Sequence, residues 1–346
     1  MKLIAGTDKG LIVYSKGENG WKLKDIYFIG MPIGAFHQDQ SGAWWVAINH
    51  KHWGSKLYRS ANSGESFQEV VAPKFDESSP YSLRSIWTIN SFEDKIYVGT
   101  EPAALFVSNG YGFDELKGLS QHPTRDEWQG GGKGSKNPFL HSIVFNPANP
   151  YELMVGISCA GILRSFDKGK SWQPSNSGLK AFFLPDSEAE VGHDPHSIIR
   201  HPKDPKILWQ QNHCGVFRSS DGGDIWVDVS DKNDKAVYGF DLVIDEEDVN
   251  TAWVIPAQSD DLRYPHNTKL EVFKTVDSGR NWQSKSQGLP LETSFDLVLR
   301  SAFDKSGDVM VFGTNNGNLY ISEDASESWS PLNQNLSAVR TVNLIK

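Results

Sequence analysis

Short apolar runs alternate with polar turns along the whole chain. Runs such as Lys2–Thr7 and residues 95–100 and 309–314 are rich in β-branched and other apolar residues, and Gly, Asp, Asn and Ser separate them. Runs of this length bounded by turn residues predict β-strands. We therefore expect an all-β fold, with innermost strands at 32–36, 85–89, 141–145, 196–200, 240–244 and 296–301.

One motif recurs after these strands. It has Ser or Thr first, Asp or Asn two residues later, usually Gly after two more, and Trp or Phe at its end, as in residues 165–172, which read SFDKGKSW. Carboxylates in tight turns accept bonds from backbone amides, and Gly readily takes a positive φ. We expect the motif to fix hairpins and its aromatic residue to pack between neighbouring repeats. Clear copies span 60–67, 165–172, 219–226, 275–282 and 322–329, and decayed copies span 15–21 and 108–113.

The seven copies begin about 50 residues apart, which is typical of a four-stranded propeller blade. The sequence therefore predicts one seven-bladed β-propeller over residues 1–346. The chain begins on a second-strand pattern, Lys2–Thr7, and ends on Val339–Ile345, which has no partner within its own repeat. We expect this last strand to become the innermost strand of the N-terminal blade and to close the ring, since closure removes exposed sheet edges.

The motif resembles the Asp-box (BNR) repeat of sialidases and related propellers, and the resemblance covers all seven copies. Residues 101–106 (EPAALF), 122–125 (HPTR) and 211–215 (QNHCG) are similar to bacterial BNR-repeat proteins labelled sialidase-like or glycosyl hydrolase. The resemblance implies a carbohydrate ligand. A sialidase also needs three arginines to hold the substrate carboxylate. Arg59, Arg164 and Arg218 directly precede motif copies, where we expect structural roles, and no Arg-Ile-Pro segment is present. True sialidase activity is therefore not expected.

Composition narrows the function class. The net charge of -9 argues against nucleic acid as a partner, because phosphate binding needs a basic surface. The two cysteines, Cys159 and Cys214, form no disulfide framework. No apolar run approaches the roughly 20 residues of a membrane span, and the first residues do not form a signal-peptide core. These features predict a cytoplasmic protein that does not bind membranes.

The long insertions point to one side of the predicted ring. They span residues 73–84, 119–140, 174–195 and 258–269, and each joins strands that meet on the side opposite the motif turns. Function concentrates on long loops that a rigid scaffold carries. Histidines are also concentrated at the strand starts and turns of this side, namely His50, His141, His196 and His213. We therefore predict a His-rich ligand site there.

Roles follow from residue chemistry. His141 and His213 are candidate proton carriers or ligands, Glu101 is a candidate acid or base, and Arg84 and Arg125 are candidate anchors for an anionic group. Further ligand-binding candidates are His50, His122, Asp126, His196, Tyr238 and Gln258. The insertion that holds residues 122–128 is either a lid over the ligand or a surface loop fixed by Trp128.

Three functions stay open for this site. The first is binding without chemistry, with a small molecule or saccharide as the ligand or a protein as the partner. The second is glycoside hydrolysis, which needs two carboxylates or a tyrosine nucleophile; Tyr238 and the acids Glu101, Asp126, Asp260 and Asp261 are available. The third is lyase or hydrolase chemistry assisted by Zn or Mn on the trio His141, His196 and His213.

Overall fold

A computed structural model describes residues 1–131, 136–233 and 235–346. It confirms the predicted fold class, a seven-bladed β-propeller built from four-stranded antiparallel sheets. Among the described residues, helix is confined to short connections: α1 (Lys117–Ser120) and two 3-10 turns, Arg125–Glu127 and His266–Thr268. None of the described helices is long and apolar enough to cross a membrane.

The chain forms two compact units. Unit 1 comprises Met1–Gly30, Ser177–Glu188 and His196–Lys346, and unit 2 comprises Met31–Asn176 and Ala189–Pro195. Blades are numbered here in chain order, so unit 1 holds blades 1, 5, 6 and 7, and unit 2 holds blades 2, 3 and 4. The assignment of residues 1–346 to a single domain stays a prediction.

The strands follow in chain order, with the innermost strand of blades 2 to 7 first. Blade 1 begins with β1 (Lys2–Thr7), β2 (Gly10–Gly17) and β3 (Gly20–Tyr27). Blade 2 comprises β4 (Ile33–Gln38), β5 (Trp44–His50), β6 (Gly54–Ser60) and β7 (Gln68–Val70). Blade 3 comprises β8 (Ser85–Phe92), β9 (Lys95–Glu101), β10 (Leu105–Ser108) and β11 (Phe113–Glu115). Blade 4 comprises β12 (Leu140–Phe145), β13 (Leu153–Ile157), β14 (Gly161–Ser165) and β15 (Gln173–Pro174).

Blade 5 comprises β16 (Pro195–Arg200), β17 (Leu208–Asn212), β18 (Gly215–Ser219) and β19 (Val227–Asp228). Blade 6 comprises β20 (Gly239–Ile244), β21 (Ala252–Pro256), β22 (Phe273–Thr275) and β23 (Gln283–Ser284). Blade 7 comprises β24 (Phe303–Ser306), β25 (Val309–Gly313), β26 (Leu319–Ser322) and β27 (Ser330–Asn333), and the final strand is β28 (Val339–Ile345).

The final strand closes blade 1, as predicted. β28 pairs antiparallel with β1, so that the strand order of the blade is β28-β1-β2-β3. Arg340 of β28 also donates two hydrogen bonds of 2.7 Å to the Asp8 carboxylate. The N-terminal strand is therefore an inner strand with a partner on each side, and neither of its edges is open to another chain.

The recurrent motif forms the hydrogen bonds expected of a hairpin turn. In blade 4 the Asp167 carboxylate accepts the Ser171 amide at 2.9 Å, and the Ser165 hydroxyl accepts the Gly169 amide at 2.8 Å. Gly169 has a φ of 85°. Partial burial opposes ionisation of Asp167, but the bonds from Ser171 and Ser165 outweigh it and lower its pKa to about 2. The aspartate of the motif therefore stabilises its own turn by accepting a backbone amide.

The aromatic end of the motif links neighbouring blades of unit 1. The indole of Trp282 in blade 6 donates to the Val229 carbonyl at the exit of blade 5, at 2.8 Å. The indole of Trp329 in blade 7 donates to the Lys285 carbonyl at the exit of blade 6, also at 2.8 Å. Trp329 belongs to the core between these two blades, with Trp253 and Phe312. A tryptophan at this position thus fills the gap between two sheets and satisfies a carbonyl at its edge.

One predicted strand is wrong. Residues 296–301 form no strand, and the innermost strand of blade 7 begins at Phe303. The carboxylate of Asp296 instead accepts bonds from Thr314 and Asn318, and the Leu297 amide donates to the Asn315 side chain at 2.7 Å. These side-chain bonds accompany one backbone bond, from the Asn315 amide to the Leu297 carbonyl at 2.8 Å, and no regular ladder forms over 296–301. A positive φ of 62° at Ser301 then redirects the chain before β24.

Candidate functional site

The largest group of predicted site residues that the structure brings together lies in unit 1. His196 is on β16, His213 is in the β17–β18 turn, and Tyr238 lies just before β20. We call this group the blade 5–6 cluster; it comprises His196, His213, Tyr238, Phe240, Asp260 and Arg263.

Three rings of the blade 5–6 cluster meet nearly at right angles. The centroids of His196 and His213 are 5.7 Å apart, and those of His213 and Tyr238 are 5.4 Å apart. His196 and Tyr238 complete the triangle at 5.7 Å and 88°. Each ring therefore presents its edge to the face of a neighbour, which is the arrangement aromatic rings favour.

His196 anchors the cluster and is only 2% exposed. Its ring stacks on Phe240, with centroids 5.0 Å apart and planes 13° apart. Its Nδ1 lies 2.6 Å from the carbonyl oxygen of Gly239, which can only accept. Nδ1 therefore carries a proton. His196 is fixed in orientation, whereas His213 is half-buried and nearer to solvent.

Asp260 brings a negative charge to the cluster. It lies in the loop that joins β21 to β22, where its Oδ1 accepts the Tyr238 hydroxyl at 3.3 Å. The Arg263 guanidinium pairs with the same carboxylate. Partial burial opposes ionisation, but Arg263, the charge of His213 and the Tyr238 bond outweigh it and lower the pKa of Asp260. Asp260 is therefore an ionised acceptor at neutral pH.

Cations and apolar surface from three segments surround the rings. The guanidinium carbons of Arg263 and Arg300 each lie 5.5 Å from the centroid of the Phe240 ring. Phe183, from the insertion before blade 5, meets the edge of His213 at 4.9 Å and is 46% exposed. The cluster thus combines ring faces, a carboxylate and guanidinium donors at a place that solvent reaches.

A second group of predicted residues meets in unit 2. Arg84 and Glu101 approach to 3.6 Å across the start of β8 and the end of β9. The Glu101 Oε2 accepts the Ser85 hydroxyl at 3.1 Å and the Trp87 indole at 3.4 Å. We call this group the blade 3–4 cluster; it comprises Arg84, Ser85, Trp87, Glu101, Phe139 and His141.

Aromatic stacking connects Glu101 with His141. Trp87 stacks on Phe139 with centroids 3.8 Å apart and planes 11° apart, and Phe139 meets His141 edge-on at 6.0 Å. His141 Nδ1 lies 2.9 Å from the Ser142 hydroxyl. Glu101 and His141 are therefore linked within unit 2 through Trp87 and Phe139.

The other predicted site residues belong to neither cluster as defined here. His50 stacks on Trp53 at 4.1 Å in the β5–β6 turn. The Gln258 side chain accepts the Asn267 amide at 3.2 Å, within the loop that also holds Asp260. His122 pairs with the Thr124 hydroxyl at 2.9 Å, and burial lowers its pKa. Their roles in ligand binding stay predictions.

The insertion at 119–140 is packed where the structure describes it. Arg125 is buried, with its guanidinium 5.0 Å from the Tyr81 ring centroid and 4.6 Å from that of Trp128. Trp128 is buried as well, while Asp126 is exposed. Trp128 thus fixes this loop to unit 2. Residues 132–135 of the adjoining glycine-rich segment lie outside the described residues.

The metal trio is not tested as a whole. His196 and His213 could supply two imidazole ligands from unit 1. His141 belongs to unit 2, so its place beside them stays a prediction. The sequence pattern does not identify Trp87 and Phe139. Trp87 lies at an irregularity of β8, between Ile86 and Thr88, which a regular strand pattern does not predict.

Comparisons with known proteins support the fold alone. No family model and no curated protein matches the chain. Among solved structures, a Lactobacillus plantarum protein has a TM-score of 0.62 at 11% identity, covering 100% of this chain and 99% of its own. YCF48 bound to D1 peptide has a TM-score of 0.57 at 13% identity, covering 92% and 88%. An ancestral GH74 enzyme has a TM-score of 0.57 at 16% identity; the match covers 98% of this chain but 39% of the enzyme. The chain is similar in fold to propellers that include a glycoside hydrolase and a peptide-bound protein.

Proposed function

We propose that the protein binds a polar saccharide at the blade 5–6 cluster. The observation that carries the proposal is the junction of three perpendicular rings with an ionised carboxylate, Asp260, and its partner Arg263. Ligand sites combine apolar ring surface with a few polar groups that set orientation.

Sugar chemistry matches this set of groups. The C–H face of a sugar ring packs on aromatic rings, and Phe183 and His213 offer such surface near solvent. Sugar hydroxyls both donate and accept, so they suit the Asp260 carboxylate as acceptor and Arg263 as donor. The rings below are already fixed by His196 and Phe240, so that little ordering of the site is needed on binding.

The test is a glycan array followed by titration calorimetry on each hit. We expect saturable binding by the wild-type protein and a loss of about tenfold or more in affinity for His213→Ala. His52→Ala is the matched control, because it removes an exposed imidazole from a turn of unit 2. Absence of any saccharide binding, or equal affinity of wild type and His213→Ala, would contradict the proposal.

Glycoside hydrolysis is the second candidate, and the Tyr238–Asp260 contact of 3.3 Å favours it. A tyrosine bonded to an ionised carboxylate can pass its proton to that carboxylate and become a nucleophile, which is the sialidase variation of the two-carboxylate mechanism. A second acid is required for the leaving group; the exposed Asp261 is the adjacent candidate. The similar fold of the GH74 enzyme is compatible with the hydrolase hypothesis.

Turnover separates the two candidates. Aryl glycosides and uronic oligosaccharides are incubated with wild type, Tyr238→Phe and Asp260→Asn. If the protein is a hydrolase, both variants lose about a hundredfold or more in kcat. If wild type binds the sugars without releasing product, the protein is a binding module.

A metal-assisted reaction would in addition require activity that a chelator removes and Zn or Mn restores. A protein partner, of which the D1 peptide of YCF48 is an example in a similar fold, is the remaining alternative.

A further inference from the structure

A cavity of ≈ 550 Å³ lies in unit 2, on the side of the blades that carries the motif turns. Its walls come from blades 2 and 3, and it has no residue in common with either cluster described above. The apolar part of the lining is formed by Trp45, Val70, Val71, Ile96 and Phe113. Its volume is in the range of sites that bind small organic molecules.

The sequence explains why the gap exists here. In blades 6 and 7 the indole of the motif tryptophan reaches the preceding blade. There it donates to the carbonyl of the residue that follows the outermost strand of that preceding blade, which is Val229 or Lys285. In blade 3 the motif is decayed, and the residue in the equivalent register, opposite Ser108, is Phe113. The equivalent exit residue of blade 2 is Val71, which remains 65% exposed. The shorter aromatic side chain therefore leaves unfilled the space that an indole occupies elsewhere.

The shortened turn also leaves the opening uncovered. Asn109 accepts the amides of Tyr111 and Gly112 at 3.0 and 2.8 Å, which holds this turn in a tighter form than the other copies. Tyr111 stands at the rim of the cavity and is 95% exposed. An aromatic ring at the mouth of a cavity offers apolar surface on which a ligand can pack.

The cavity contains two cations that lack an acidic partner. Arg59 lies over the Trp45 ring at 5.6 Å, and neither Arg59 nor Lys95 forms an ion pair with any described residue. The equivalent arginine of blade 4, Arg164, differs because Glu152 pairs with it at 2.9 Å. The expected structural role of the arginine before the motif therefore holds for Arg164, while Arg59 keeps a cation available on the cavity wall.

The acids that line the cavity are largely engaged. Asp39 accepts the Ser41 amide and hydroxyl, the Ala43 amide and the Trp45 indole, all within 3.1 Å. Glu93 lies 4.0 Å from the ammonium of Lys168. Asp94 is the remaining acid, and it is exposed to solvent. Asp39 stays charged, but its oxygens already accept four hydrogen bonds, so Arg59 and Lys95 are the charged lining groups left to bind a ligand carboxylate.

We propose that this cavity is a second binding site, and that it takes a small aromatic carboxylate. The aromatic body would fill the space left between Phe113 and Val71, and the carboxylate would bind the guanidinium of Arg59 with support from Lys95. The guanidinium carbon of Arg59 lies 5.6 Å from the Trp45 centroid, and a guanidinium can bind a carboxylate through two parallel N–H donors.

Titration calorimetry with three probes of one shape tests the proposal: 1-naphthoate, neutral 1-naphthamide and cationic 1-naphthylmethylamine. We expect saturable binding of 1-naphthoate and affinity about tenfold or more lower for the amide and the amine. Arg59→Gln should weaken naphthoate binding to the level of the amide. Arg218→Gln is the matched control, because it removes an arginine that lies over Trp209 at 5.4 Å in blade 5, outside the cavity.

Phe113→Trp is a second, independent variant that keeps the test decisive if Arg59→Gln fails to fold. The added indole should fill the gap as Trp282 does in blade 6, so that naphthoate binding is lost while the melting temperature rises. The proposal is overturned if 1-naphthoate shows no saturable binding, if the amine binds more tightly than the carboxylate, or if Phe113→Trp binds naphthoate as wild type does.

Discussion

The two clusters hold their acidic side chains in different ways. Glu101 ends the sheet strand β9, is 8% exposed and bonds to Ser85 and Trp87 of the neighbouring strand. Asp260 lies in a surface loop, where it accepts a bond from the buried Tyr238 and pairs with the exposed Arg263. A carboxylate bonded within a sheet stabilises that sheet, whereas one in a loop can exchange partners with a ligand. We therefore expect loss of Glu101 to reduce stability and loss of Asp260 to reduce binding.

Both clusters depend on intact blades, and removal of β28 should have the largest effect on blade integrity. Deletion of residues 339–346 should expose the edge of β1, remove the buried Val339 and Val342 from the core of blade 1, and abolish cooperative folding of unit 1. Thermal unfolding and light scattering measure the effect, which we expect to be loss of the transition or aggregation. Deletion of Lys346 alone is the control. A truncated chain that melts like wild type would show that blade 1 does not need its inner strand.

The units also differ in how their inner strands are joined, and this predicts a pH effect. In unit 2 the neutral Asn90 of β8 donates to the Ile143 carbonyl at 2.8 Å. In unit 1 the corresponding link is an acid, since Asp241 of β20 accepts the Phe303 amide at 3.2 Å. Burial raises the pKa of Asp241 to about 7 and that of Asp304 to about 6.

A raised pKa makes stability fall as pH rises. Below about pH 4 the carboxyl of Asp241 is neutral in both states, so its contribution to stability is complete. Between about pH 4 and pH 7 the unfolded chain ionises first, and the free energy of unfolding falls by up to about 1.4 kcal/mol per pH unit from this group. Asp241→Asn should reduce this slope in urea unfolding across the interval, whatever its effect on absolute stability. A slope identical to that of wild type would show that Asp241 does not titrate there.

Replacing the two acids compares the clusters directly. Glu101→Ala should lower the free energy of unfolding by about 1–3 kcal/mol, because it leaves the Ser85 hydroxyl and Trp87 indole without their acceptor. Asp260→Ala should change it by about 0.5 kcal/mol or less, since an exposed ion pair contributes little. Urea unfolding measures both, and Glu101→Gln is the matched variant that keeps an acceptor oxygen. Equal effects of the two alanine variants would remove the distinction between the clusters.

Local patterns in the sequence were sufficient for the fold but not for the details of each site. The motif and β28 could be predicted because their signals lie within a few consecutive residues or at a chain end. His196 and His213 could be placed together because both lie at ends of neighbouring strands of one blade. The stack of Trp87 on Phe139 joins two blades, and the failed strand at 296–301 depends on side chains of Asn315 and Asn318. The cavity of unit 2 exists because Phe113 stands where other blades have a tryptophan, and the pattern that predicts strands does not reveal such a gap.

The smallest expected effect separates the Tyr238 hydroxyl from its ring. Tyr238→Phe keeps the ring triangle with His196 and His213 but removes the 3.3 Å bond to Asp260. That bond is one of several interactions that lower the pKa of Asp260, and the interaction with Arg263 is stronger. The pKa of Asp260 in Tyr238→Phe should therefore rise only slightly toward its ordinary value. NMR titration of the side-chain carboxyl measures the shift, and stability should change by about 0.5 kcal/mol or less. If the pKa of Asp260 is unchanged in Tyr238→Phe but raised in Arg263→Gln, the ion pair alone accounts for its lowering.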